Sequence, residues 1–118
     1  MDVDQVKKYC SSFPGAREEL QGHPANILSY KVGDRKFAYF KTSDPEKWRF
    51  SIRVEPDLYI GLTDQAGIKP ARYVHRFHWV TIVRVDTLPE DHLKELIRWS
   101  YHKAASALSR KVREALGA

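Results

Sequence analysis

Between Ile68 and Val85 the chain reads IKPARYVHRFHWVTIVRV, with the cations Lys69, Arg72, Arg76 and Arg84, the interleaved rings of Tyr73, Phe77 and His78, and no acidic residue. Guanidinium and ammonium groups without local carboxylates hold phosphates, and flat rings beside them stack on bases. A second pair, Arg49 and Arg53, stands in Trp48-Arg-Phe-Ser-Ile-Arg-Val54. Alternation there sends Trp48, Phe50, Ile52 and Val54 to one face of a strand and Arg49, Ser51 and Arg53 to the other. The candidate nucleic-acid-binding set is therefore Arg49, Arg53, Lys69, Arg72, Arg76 and Arg84, with Tyr73 and His78 for stacking or groove contact. A competing reading lays the arginine stems along a sheet edge and pairs them with Glu46, Glu55 or Asp86. Arg72 and Arg76 share a face only if their segment is helical.

Other chemistries find less support. His75 and His78 have H-x-x-H spacing, but a metal site needs three or four convergent ligands and a second shell, so no metal and no cofactor is expected. Cys10 as a nucleophile would need a histidine and a lowered pKa, and a half-buried helix residue describes it better. Ser100 and His102 lack a nucleophile elbow, and there is no glycine-rich phosphate loop or dinucleotide fingerprint. Enzyme activity is not expected.

These residues sit in a chain of 118, the size of one domain over residues 1–118. A domain of that size buries roughly two thirds of its unfolded surface. Hydrophobic content of 42% is too high for a disordered chain. The 20 lysines and arginines against 15 acids give a net charge of +5, a mild bias toward polyanions. Cys10 is the single cysteine, no signal-like run follows Met1, and no segment is long and apolar enough for a bilayer; a cytoplasmic location without membrane association is the expectation.

The elements follow from pattern. Val3, Val6, Tyr9 and Cys10 have helical spacing, with Phe13-Pro14-Gly15-Ala16 as the stop. Arg17 to Leu20 is expected to add a helical turn. Ile27–Val32 and Arg35–Lys41 flank Gly33-Asp34 as a tight hairpin of type II′ or I′. After the strand at Trp48–Val54, Pro56 suits the first turn of a helix running to about Gln65, with Leu58, Ile60 and Leu62 as buried candidates and Gly67 as its stop. Trp79 to Val85, near-continuously apolar, is placed centrally. Thr87-Leu-Pro-Glu90 has capping-box form ahead of a long helix whose stripe is Leu93, Leu96, Ile97, Tyr101, Ala104 and Leu108. Ser109 would cap a second short helix carrying Val112, Ala115 and Leu116. The sum is an α+β fold: an antiparallel sheet of four or five strands with helices packed on one face.

Tyr9-Cys10, Phe13-Pro14-Gly15-Ala16, Lys36-Phe37-Ala38, Ser51-Ile52-Arg53 with Pro56, Ile68-Lys69-Pro70-Ala71-Arg72-Tyr73, His78-Trp79-Val80, Leu88-Pro89 and Ser100-Tyr101 occur in an order that resembles the MmcQ/YjbR family over nearly the whole chain. The resemblance implies a frataxin-like (CyaY-like) two-layer sandwich and carries a DNA-binding label, with no catalytic motif to transfer. It also implies Pro14-Gly15 as a turn, Pro70-Ala71 with Tyr73 as the lead into a strand, and Ser100-Tyr101 facing the core. Iron binding by an acidic first helix does not fit, because Lys7 and Lys8 follow Asp2 and Asp4. The expected function is low-specificity DNA binding through phosphates. A protein-interaction module with an apolar patch near Trp99 is the alternative, and an enzyme acting on an anionic small molecule comes third. Clustering of the arginines is the observation that separates them.

Overall fold

The structure, a computed structural model, describes residues 1–72 and 77–118. A six-stranded antiparallel sheet in the order β1-β2-β3-β4-β6-β5 carries helices on one face. The elements are α1 (Val3–Ser11), β1 (Ala16–Gln21), β2 (Ile27–Val32), β3 (Arg35–Lys41), β4 (Phe50–Arg53), α2 (Pro56–Thr63), β5 (Ile68–Pro70), β6 (Trp79–Ile82), α3 (Glu90–Ser106) and α4 (Arg110–Leu116). The two-layer α+β arrangement is as expected, with more strands than the four or five read from pattern.

The covered face of the sheet holds the core. Leu28, Tyr30, Val32, Phe37, Phe40, Phe50, Ile52, Val80 and Ile82 project from it onto Val6 and Cys10 of α1 and onto Leu93, Leu96, Ile97 and Tyr101 of α3. Phe13 stacks on Tyr101 at 4.5 Å between centroids, and Phe37 meets Tyr101 edge-on at 5.3 Å. Two hydroxyls of α3 tie this helix to the rest. Ser100 Oγ donates to the Phe37 carbonyl at 2.6 Å and accepts the Arg53 amide at 3.1 Å; Tyr101 Oη donates to the Pro14 carbonyl at 2.5 Å. Burial raises the Tyr101 pKa, which keeps the phenol a donor.

The hairpin forms with the expected bounds, and its turn has positive φ at Gly33 but not at Asp34, as type II′ requires. Ser109 Oγ accepts the Val112 amide at 3.2 Å and starts α4. Five local expectations give way. Arg17 to Leu20 is not a helical turn but part of β1, because pairing with β2 and a 2.6 Å bond from Tyr30 Oη to Glu18 outweigh helix propensity. Trp48, at φ +71, lies outside β4. The central strand ends at Ile82, and Val85 enters the core from a 3₁₀ turn, Val85–Thr87. The capping box is not made: Leu88, preceding a proline, is extended, so α3 starts after Pro89 without a side-chain cap. In α2 only Leu62 is buried, while Ile60 is 79% and Leu58 41% exposed. Ile60 lies about 200° around the helix from Leu58 and from Leu62, so it faces away from the side those two share, and Leu58, a turn nearer the helix start, is only partly covered.

Candidate nucleic-acid interface

The second face of the sheet is bare of helices over β3, β4, β6 and β5, and there it is concave. A trough of about 840 Å³ runs across it. Cross-strand register decides what it presents. Tyr39 of β3 stands opposite Ser51 of β4, Ser51 opposite Thr81 of β6, and Thr81 opposite Lys69 of β5, so these side chains share the open face. Arg53 stands opposite Trp79 on the same face.

A register shift between Tyr30 and Lys31 sets which β3 residues join them. Phe37 and Ala38, consecutive in sequence, are both buried on the covered side. This turns Lys36 outward along with Tyr39 and Lys41, all three lining the trough. The Tyr39 and Trp79 rings reach across β4 to lie 5.7 Å apart at 33°. Ser51 Oγ and Thr81 Oγ1, both buried, hydrogen-bond at 2.8 Å beside them.

Lys36, Lys41, Arg49, Lys69 and Arg72 line the trough, and among the described lining residues Glu46 is the acid that faces them. Glu46 sits in the loop before β4 at φ +57. Its carboxylate takes Lys69 Nζ at 2.6 Å and lies 3.6 Å from Arg49 Nη1, which also donates to the Pro45 carbonyl at 3.3 Å. The Lys69 hydrogen bond, outweighing partial burial, holds the Glu46 pKa below the usual carboxylate value. Lys36 Nζ lies over the Tyr39 ring at 5.1 Å, and burial, then repulsion from Lys31, lowers its pKa. Toward β1, outside the trough, Glu19 accepts Arg17 at 3.0 Å and Lys31 at 3.3 Å, one carboxylate between two cations.

Of the residues singled out by sequence, Arg49, Lys69 and Arg72 meet in the trough. Arg53 lines an adjoining recess that shares Lys36 and Trp79 with it. Arg84 stands elsewhere, in a cleft with Trp48 and Val85, its guanidinium 2.8 Å from Asp86, as the ion-pair reading expected. His78 is directed at Tyr59, ring centroids 5.5 Å apart, and its carbonyl accepts the Val54 amide at 2.9 Å. Tyr73, His75 and Arg76 lie outside the described residues. Lys36, Tyr39, Lys41 and Trp79 were not read as site residues. The bulge conceals Lys36, which strict alternation sends to the face opposite Tyr39 and Lys41, and Trp79 reads as an ordinary core residue. Cys10 is wholly buried and burial pushes its thiol pKa up, which leaves no nucleophile there.

The class the fold defines is a two-layer α+β sandwich with a six-stranded antiparallel sheet open on one face. The YjbR family model matches residues 11–103, and the chain belongs to that family. It is 26% identical over 117 residues to the "Uncharacterized protein YjbR" of Escherichia coli K12, covering 98% of each chain. The crystal structure of Deinococcus radiodurans protein DR2400, described with a DUF419 domain, superposes with a TM-score of 0.83 at 27% identity, covering 98% of this chain and 88% of that one. A Pseudomonas syringae protein shares the fold at a TM-score of 0.70 and 18% identity, covering 88% of this chain and 99% of that one. Among the described residues no helix is long and apolar enough to cross a membrane.

Proposed function

We propose that this domain binds nucleic acid, DNA foremost, through the open face of its sheet, holding phosphates with little regard for sequence. The observation that carries the reading is the gathering of Lys36, Lys41, Arg49, Lys69 and Arg72 around one trough against the single carboxylate of Glu46 among the described lining residues. Such a surface attracts a polyanion by releasing its condensed counterions, a term that is strong and indifferent to base sequence. Arg53 adds a cation in the neighbouring recess, which shares Lys36 and Trp79 with the trough and is walled on its other side by Lys103 and Ala104 of α3.

Fluorescence anisotropy of labelled DNA across a salt series tests it. With about four phosphate contacts, affinity falls roughly a hundredfold between about 50 and 200 mM salt. Lys69→Ala/Arg72→Ala should lower both the affinity and the salt slope, by about one unit per lost contact, while Arg84→Ala should change neither. Absence of binding at low salt, or equal losses from Arg84→Ala, defeats the reading. A second reading, a protein-interaction module, is favoured by exposed Leu58 in the cleft it shares with Trp99 and Leu96. Capture of a protein partner that is lost in Trp99→Ala and kept in Lys69→Ala/Arg72→Ala would support that one instead.

A further inference from the structure

We infer that the strand held on this face is single, with unpaired bases laid against the Tyr39–Trp79 floor; this rests on the nucleic-acid reading above. The two rings lie in the trough, bridging β4, with Lys36 and Lys41 on the β3 side and Lys69 and Arg72 on the β5 side. A duplex turns its phosphates outward and keeps the flat faces of its bases stacked within, so it would meet the cations and leave the recessed rings untouched. A single strand can lay its backbone along the cations and turn bases down onto the rings.

The floor fits a base in one further way. Ile27 and Pro70 also line the trough, adding apolar surface for which phosphates alone have no use. Ser51 and Thr81, buried and bonded to each other at 2.8 Å, tie β4 to β6 between the two rings and hold the floor rigid.

The test compares three labelled ligands at low salt on the unaltered protein: a short oligothymidylate, an abasic strand of the same length, and a duplex of that length. The abasic strand keeps every phosphate and removes every base, so it isolates stacking without a mutation. Oligothymidylate should bind about tenfold or more tighter than either of the others. Tyr39→Leu and Trp79→Leu, with folding checked by circular dichroism, should each lose most of that advantage. If oligothymidylate binds no tighter than the abasic strand, or the duplex binds as tightly as the oligothymidylate, the single-strand inference is overturned while the phosphate reading stands. If none of the three binds, the phosphate reading itself has failed.

Discussion

Glu46→Gln should tighten nucleic-acid binding. The carboxylate occupies the space between Lys69 Nζ at 2.6 Å and Arg49 Nη1 at 3.6 Å, where a phosphate oxygen would otherwise stand. Removing one unit charge about 5 Å from a bound phosphate is worth about 0.8 kcal/mol in water, a gain of about fourfold that salt screens. Lys69 and Arg49, released from their internal partner, should also steepen the salt slope by up to about one unit. Stability should change by less than about 1 kcal/mol, since Lys69 is half exposed and such surface pairs are weak. The sign with pH follows from the lowered Glu46 pKa. The carboxylate is fully charged at neutral pH and loses its charge only as pH falls through that lowered value, so wild type and variant should differ at neutral pH and converge in acid. Anisotropy titrations at several salt concentrations give both quantities. An unchanged or weaker affinity for Glu46→Gln at neutral pH would refute the assignment of Lys69 and Arg49 to phosphate.

Further outcomes follow from the same geometry. Lys36, its pKa lowered by burial and by Lys31, loses its charge below the usual lysine range; binding should therefore weaken as pH rises through that value, and Lys36→Arg should hold affinity where wild type declines. Ser100→Ala leaves the Phe37 carbonyl and the Arg53 amide without their partner and should cost about 2–3 kcal/mol in urea unfolding, with little change in affinity for DNA measured well below the transition. Cys10 should resist alkylation in the native protein and react on unfolding, which thiol labelling with and without denaturant reads directly. Gly15 has φ +72, and an added Cβ would lie 2.9 Å from Leu116 Cβ, so Gly15→Ala should lower the thermal midpoint by several degrees, as about 1–2 kcal/mol does in a domain of this size.

Where one periodicity carried the signal, sequence reasoning reached the structure. The α3 stripe is buried at Leu93, Leu96, Ile97 and Tyr101, the Gly33-Asp34 hairpin has the bounds its turn residues imply, and Pro56 opens α2. Lys69 and Arg72 are legible as site candidates because a run of cations without acids is a local feature, and Arg49 because alternation from Trp48 to Val54 sends it away from the core. Other features depend on partners distant in sequence. β1 has helix-favouring residues and is a strand only because β2 lies beside it. The trough depends on a register shift that no local pattern announces, and the 5.7 Å approach of Tyr39 to Trp79 joins residues of β3 and β6 across an intervening strand. Glu46, one of the acids expected to pair with the arginines, does so with Arg49 and reaches Lys69 as well.

Amide chemical-shift mapping during titration with a short DNA strand tests the central claim most directly. The largest changes should fall on Tyr39, Lys41, Ser51, Lys69 and Thr81 of the open face, with Trp79 among them, while Leu58, Trp99 and Arg84 stay still. Changes centred on α2 and α3 around Leu58 and Trp99, with the open face unmoved, would contradict it.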